Sequence, residues 1–583
     1  MKRSPFLILL AASAVLAMSC SRGEDPVAQK ESAPRSSGTP NSTPASGTQQ
    51  LDWKRCKGEL TSLAGLQCAS LQVPLDPAKP AGGTVELALA RKKSTGPPSQ
   101  RIGSLVMNPG GPGGSGLEFL ANAATEFPDE LTRRFDLVSF DPRGVGESDP
   151  VRCLDDAQKD EQLTGDLSPD TPQETARMEA DQKDLREGCE QRNPQLITHM
   201  STADVAADLE QMRIALGDDK LNYLGFSYGT AIGAAYATTY PDTIRAMVLD
   251  GSVSPSSTPT EEALVQATGF ERTLGNFVAA CNADTSCPLA PDAAAAIEST
   301  RSSLEANPVT VKAKSGNRTL GPDLFEYGLA TALYDSSTWG PTAQAIKDIR
   351  TGGAETMLAL VDRQTGRKPN GSYDNSTDAQ VMVNCADAKV RPTKAEADAA
   401  EAQIIQAAPT FGPLLGSGLT SCDGWPRAAN PVPVPDAAGA PPILVVGTVG
   451  DPATPYEWAQ QMASTLKSGV LLTYEGDGHT AFLRGGTCIE NAVVNYLIKL
   501  TVPPTGTRCP AEKGSGGFGD VKQMLIDELT KSGLPEDVST CIVDGMVAEV
   551  GESGFNKLIL ESNQEEITKL ATAQTLKCAA GGK

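Results

Sequence analysis

LNYLGFSYGTAIGAAYATTYP, residues 221–241, decides the fold. An apolar run, Leu221–Phe226, passes directly into Gly225-Phe226-Ser227-Tyr228-Gly229 and then into a helical pattern of small residues. A buried strand, a turn with a glycine on either side and a helix that can lie close to the strand are the parts of a nucleophile elbow. The glycines permit a tight turn that exposes the Ser227 hydroxyl, and the Tyr228 amide at the helix start can point at a developing oxyanion. Taken alone, Gly-x-Ser-x-Gly is weak in a chain with 56 glycines among 583 residues; its position between strand and helix gives it weight.

Outward from this stretch, short runs rich in Val, Ile and Leu alternate with helical patterns, which predicts an α/β architecture with a mostly parallel central sheet. Residues 104–108, 135–141, 246–251, 443–447 and 470–475 read as further core strands, and 71–76 with 84–93 as an N-terminal hairpin. Between two of the strands, STADVAADLEQMRIALG places Val205, Leu209, Met212 and Leu216 on one helical face, with Ser201 and Asp204 at capping-box spacing. From Ser257 to Asp436 only helical patterns occur, so 257–436 is expected to form a helical cap between core segments 51–256 and 437–510. The amphipathic helices of 511–583 read as a small appended module with no evident chemistry.

The chain begins MKRSPFLILLAASAVLAMSC, a charged start and an apolar run too short to span a bilayer, which predicts an export signal over 1–20. Small residues before Cys20 resemble a lipobox, so lipidation of Cys20 and attachment to the outer face of the cell membrane are expected, with release as the alternative. Residues 21–50, rich in Pro, Ser and Thr, read as a tether that cannot bury a core. Removing Cys20 leaves 12 cysteines, an even number suited to an oxidising compartment. They fall into sequence-local couples: 56 with 68, 153 with 189, 281 with 287, 385 with 422, 488 with 509 and 541 with 578. A net charge of −22 without a basic cluster argues against nucleic acid as a partner. Two histidines and no Cys-x-x-Cys pair cannot supply an ordinary catalytic zinc site, and the expected chemistry requires neither metal nor cofactor.

Three loops besides the elbow carry chemistry. NPGGPGGSG (108–116) follows a core strand; it is either a generic flexible loop or one whose amides approach a substrate carbonyl, with Gly111 as the expected second oxyanion donor. No Gly-Lys-Ser/Thr follows it, which disfavours a phosphate loop. Asp451, in GDPATP, lies just past another strand, where it is a helix cap or a triad acid. His479, in GDGHTAF, follows the next strand. Ser227, Asp451, His479 is the chain order of an α/β-hydrolase triad. His199 precedes the serine, lies outside this pattern and is expected to be structural or at the surface.

Together NPGGPGGSG, FDPRGVGES (140–148), STADVAADLE, LNYLGFSYGT, CDGWP (422–426), GDPATP and GDGHTAF resemble the secreted tripeptidyl-aminopeptidase-like serine hydrolases of actinobacteria, relatives of prolyl aminopeptidase. The resemblance spans about residues 51–510. It implies an α/β-hydrolase fold with a helical cap, a triad at Ser227, Asp451 and His479, and removal of short peptides from free N-termini. Asp141 and Arg143 are expected to be structural. An aminopeptidase must also hold a substrate ammonium, which calls for a carboxylate in the cap; Glu326 and Asp387 are the candidates. The triad alone does not separate peptide from ester substrates, so a carboxylesterase or lipase acting on envelope or exogenous esters is the alternative.

Overall fold

Leu221–Phe226 is a strand with all six residues buried, and it lies in the middle of a ten-stranded sheet. The computed structural model describes residues 49–57, 65–313, 315–511, 521–531, 533–560 and 564–580. The expected signal over 1–20 with Cys20, and all but the last two residues of the tether, lie outside the described residues. In chain order the strands are β1 (Lys54–Arg55), β2 (Leu66–Pro74), β3 (Thr84–Lys92), β4 (Gly103–Asn108), β5 (Phe135–Phe140), β6 (Leu221–Phe226), β7 (Ile244–Asp250), β8 (Val309–Ala313), β9 (Gly316–Leu320), β10 (Ile443–Gly450), β11 (Gly469–Asp477) and β12 (Arg508–Pro510). The sheet order is β1-β2-β3-β5-β4-β6-β7-β10-β11-β12. From β5 to β12 neighbours are parallel, and β1, β2 and β3 extend the sheet as an antiparallel edge.

Apolar side chains on successive strand residues face opposite sides, and both sides are covered. Leu221 and Tyr223 of β6, with Ile443 and Val445 of β10, join a core that includes Leu209, Met212 and Tyr236; Leu224, Phe226, Leu444 and Val446 join the opposite one with Phe482 and Tyr496. Each fully buried Val, Leu or Ile contributes roughly 1.5–3 kcal/mol, which is why these strands read as continuous apolar runs rather than alternating ones. The helix Thr202–Leu216 starts with the Ser201–Asp204 capping box and ends on Gly217 at φ 75°.

The cap has its own core, built around Phe277, Phe325, Leu329, Trp339, Ile346 and Met357. It also contains the antiparallel hairpin β8–β9, which helical periodicity did not reveal because both strands are mostly exposed. Helices Asp156–Leu163 and Pro172–Arg192, inside the span expected as core, meet the cap: Lys159 Nζ lies 2.7 Å from Asp378, Arg367 Nε 2.8 Å from Asp160, and Arg186 donates to the Asp423 carbonyl at 3.1 Å. The C-terminal helices enclose a separate core around Ile542, Val543, Met546 and Phe555, and Val550, Gly554 and Lys557 face Gln344, Asp348 and Glu355 of the cap. All six sequence-local cysteine couples are disulfide-bonded. Such bonds belong to an extracytoplasmic compartment. Among the described residues no helix is long and apolar enough to cross a membrane.

Candidate active site

Four loops leave the same edge of the sheet, the carboxyl ends of the parallel strands: Ser227 follows β6, Asp250 ends β7, Asp451 follows β10 and His479 follows β11. Ser227 has φ 54°, a left-handed conformation uncommon for a residue with a Cβ. The turn is held where it matters: the Ser227 amide donates to the Asp250 carbonyl at 2.9 Å, and the Thr230 amide and hydroxyl both donate to the Ser227 carbonyl, at 2.8 and 2.6 Å.

Asp451 is fully buried. Its carboxylate accepts from the amides of Ala453 (3.0 Å), Thr454 (2.8 Å) and Thr480 (3.1 Å) and from the Thr454 hydroxyl (2.9 Å). His479 Nδ1 stands 3.0 and 3.1 Å from its two oxygens and 3.1 Å from Thr454 Oγ1. A carboxylate only accepts, so the proton sits on Nδ1 and Nε2 of the neutral imidazole is left free to take one. The Tyr334 ring of the cap lies edge-on to the imidazole, with centroids 5.1 Å apart, and the Tyr334 carbonyl accepts from the His479 amide at 2.8 Å.

Asp250 links the serine and histidine loops. Its carbonyl holds the Ser227 amide, while its buried carboxylate accepts from the amides of Ala481 (3.0 and 3.1 Å) and Phe482 (2.7 Å). Burial pushes this carboxyl up to about 7; those amide bonds oppose the shift, and the nearby Asp451 charge adds to it. The next residue, Gly251, is so close to the histidine that an added Cβ would lie 3.4 Å from His479 Cε1.

The glycine loop after β4 approaches the elbow closely. A Cβ on Gly110 would fall 2.6 Å from the Phe226 carbonyl, 2.8 Å from Ser227 Cβ and 2.9 Å from the Tyr228 amide nitrogen. The Gly110 carbonyl accepts from the Gly114 amide at 3.2 Å, so the Gly111 N–H, on the opposite side of the same planar trans peptide, points away from the loop. Among the described residues neither the Gly111 nor the Tyr228 amide is engaged by a backbone carbonyl. On its outer side the loop meets the cap: a Cβ on Gly113 would overlap the Ser376 carbonyl at the start of helix Ser376–Asp387.

Asp387, at the other end of that helix, takes the Thr202 amide (2.9 Å) and hydroxyl (2.5 Å), and Thr202 Oγ1 is in turn 2.6 Å from the Tyr228 hydroxyl. Burial pushes Asp387 up to about 6 against the pull of the Thr202 bonds. Glu262, on helix Pro259–Ala283, lies within electrostatic range of Asp387. One face of Glu262 is open to solvent and protein surrounds the rest; that partial desolvation, then the charges of Glu261 and Asp387, push it up to about 7. The structure sets Glu326 apart from this group. It faces a separate cap cavity of about 560 Å³ with Glu271, Glu298, Arg301 and Asp323, none of which belongs to the loops around Ser227. Burial, then Asp323, pushes Glu326 up to about 8, with the Arg301 Nε 3.9 Å away.

Asp141 and Arg143 hold the frame. Arg143 forks onto Asp208 at 2.8 and 2.6 Å and also donates to the Leu75, His199 and Pro74 carbonyls; Asp141 accepts from the Ser115 hydroxyl and the Leu117 and Glu147 amides. The His199 carbonyl is one of the groups that receive Arg143. Sequence reasoning missed Asp250, Thr454, Glu262 and Thr202. Asp250 had a signal, an acid ending an apolar run; Thr202 and Glu262 are ordinary helix-start residues near groups distant in the chain, and Thr454 lies in the turn just after Asp451 with no mark of its own.

Residues 103–485 match the alpha/beta hydrolase fold family. The chain is 37% identical over 480 residues to serine protease Hip1 of Mycobacterium tuberculosis, covering 79% of this chain and 91% of that one. It is 35% identical over 476 residues to carboxylesterase B of the same species, covering 79% and 90%. To the tripeptidyl aminopeptidase of Streptomyces coelicolor it is 32% identical over 464 residues, covering 77% and 84%.

Proposed function

The chain belongs to the alpha/beta hydrolase fold family, and we propose that it is an exported serine peptidase that releases short peptides, two or three residues long, from free N-termini. Its coarser identity, a serine hydrolase of the aminopeptidase type, rests on the serine protease and tripeptidyl aminopeptidase relatives. The observation that carries the catalytic assignment is the convergence on Asp250 and Gly251 of the Ser227 turn and the His479 loop, with Asp451 behind the imidazole.

In this reading Ser227 Oγ attacks the scissile carbonyl while His479 Nε2 takes its proton. Asp451 remains ionised and stabilises the imidazolium, and the Thr454 hydroxyl, donating to the carboxylate, helps to hold it beside the ring. The amides of Tyr228 and Gly111 receive the oxyanion. His479 then gives its proton to the leaving amine, the acyl-enzyme forms on Ser227, and water activated by His479 hydrolyses it. For the substrate ammonium, Glu262 is the partner we assign: it is an exposed carboxylate within electrostatic range of Asp387, whose two oxygens already receive Thr202. Glu326, which faces its own cap cavity, is not given that role in this reading. Peptides are the expected partners, and the membrane is met only through a lipid on Cys20.

The test is mass spectrometry of peptides supplied both free and N-acetylated, incubated with wild type and Ser227→Ala. Stepwise loss of short fragments from free peptides alone, absent in the variant, is expected. Cleavage of neither peptide form, with hydrolysis of a short-chain ester still dependent on Ser227, replaces this reading with the carboxylesterase named among the relatives.

A further inference from the structure

The three hydroxyl and carboxyl groups behind the elbow have a fixed direction. Thr202 Oγ1 has a single proton, and Asp387 Oδ2 at 2.5 Å is an acceptor when ionised, so that proton goes to Asp387. The Tyr228 hydroxyl, 2.6 Å from the same oxygen, must then donate to Thr202. The result is a one-way chain from Tyr228 through Thr202 to Asp387, with Thr202 completely buried and Tyr228 nearly so. A second anchor, the Thr202 amide on Asp387 Oδ1 at 2.9 Å, ties the core helix Thr202–Leu216 to the cap independently of the hydroxyls.

Tyr228 is the residue whose amide is a proposed oxyanion donor, and it sits at the N-cap of helix Gly229–Thr239 without a capping side chain of its own. The Thr230 amide and hydroxyl hold the Ser227 carbonyl of the peptide that carries this N–H, and the Tyr228 phenol is a second hold, on the residue's other end. The other proposed donor, Gly111, belongs to the loop that abuts Ser376 through Gly113. Ser376 and Asp387 are the first and last residues of one cap helix. That helix braces both sides of the oxyanion site, one end against the glycine loop and the other, through Thr202, against the Tyr228 phenol.

We propose that Asp387 is a positioning residue for the oxyanion site, acting through Thr202 on Tyr228, and that it does not anchor the substrate ammonium. The inference rests on the serine-hydrolase reading above. It makes the cap part of the catalytic frame rather than only a lid over the cleft, because removing the carboxylate at the end of this one cap helix loosens a donor that every substrate uses.

The experiment compares Thr202→Val, Thr202→Ser and Asp387→Asn with wild type on two substrates, p-nitrophenyl acetate, which has no amine, and a free-amine tripeptidyl anilide. Thr202→Val keeps the volume and the amide bond to Asp387 but breaks the hydroxyl chain. It and Asp387→Asn are expected to lower kcat about 10- to 100-fold, by the same factor on both substrates and with KM changed less than twofold, as displacement of a donor predicts. Fluorophosphonate labelling of Ser227 slows in step, and Thr202→Ser restores wild-type rates. If Asp387→Asn raises KM for the peptide and leaves ester turnover unchanged, Asp387 is an ammonium anchor and the proposal fails. Wild-type rates for Thr202→Val overturn it equally, and that variant gives the answer even where Asp387→Asn does not fold. Failure of the underlying reading would look different: wild type itself would neither turn over the substrates nor be labelled.

Discussion

Asp451 and Glu326 are both buried carboxyls, one at the strand ends and one in the cap, and their surroundings could hardly differ more. Asp451 receives three amides, a hydroxyl and an imidazole, so its charge is compensated in place. Glu326 has one guanidinium nitrogen at 3.9 Å and acidic neighbours, and burial drives it toward the neutral form. Burial alone therefore does not mark a catalytic acid; the number of donors aimed at it does. The strand ends can supply those donors because the loops start from fixed points about one strand spacing apart, whereas the cap is assembled from helices whose amides are already used internally.

The largest effects should fall at the strand ends. Ser227→Ala is expected to abolish turnover and fluorophosphonate labelling, and Asp451→Asn to lower kcat by about 10⁴ by spoiling the tautomer of His479. Activity within tenfold of wild type in Asp451→Asn would remove the distinction between the two carboxyls.

Asp250→Asn comes next. It keeps the shape but offers an N–H where the Ala481 and Phe482 amides need an acceptor, so kcat should fall about 10- to 100-fold with KM little changed. Because the chain contains only two histidines, [¹⁵N]histidine labelling gives a direct check: the His479 signals should shift or broaden while those of His199 stay.

Within the cap the effects become selective. Glu262→Gln should raise KM about tenfold for free-amine peptides and leave a short-chain ester without an amine unchanged, a split read from steady-state kinetics. Equal loss on both kinds of substrate would place Glu262 in the frame instead.

Glu326→Gln should leave kcat and KM within twofold, and its effect belongs to stability. The folded carboxyl titrates at about 8 and an unfolded one near its ordinary 4.5, so the folded state binds the extra proton between these values. Wild-type stability therefore falls as pH rises from about 4.5 to 8, and a glutamine is free of that loss. The melting temperature of Glu326→Gln relative to wild type should rise across this window and level off above it. A difference that is flat with pH would mean that Glu326 is compensated after all and that the two carboxyls are alike.

Much of the fold could be read from the chain because the central strands are buried on both faces, and a strand of that kind must be an unbroken apolar run: Leu221–Phe226 and Ile443–Val446 could hardly be anything else in an alternating α/β pattern. The hairpin β8–β9 escaped because an exposed strand is under no such demand. Cysteine couples close in sequence were legible since short loops bring their own ends together. The glycine-rich turns announced Ser227 and the 108–116 loop, because a tight turn and a close approach of two backbones leave few residue types to choose from.

What the sequence determined by itself was local: which runs are strands, which turns are strained, and the chain order Ser227, Asp451, His479. The tertiary structure decided everything that depends on a meeting of distant segments. It took the sheet order to bring Asp250 under both the serine and histidine loops, residues 227 and 481 being joined by one side chain and its carbonyl. It took the packing of the cap to separate Asp387, which reaches Tyr228 through Thr202, from Glu326, which does not. The two acids look alike in the chain because a helical carboxylate has no sequence mark of its partner; its chemistry is set by the donors that folding brings within about 3 Å.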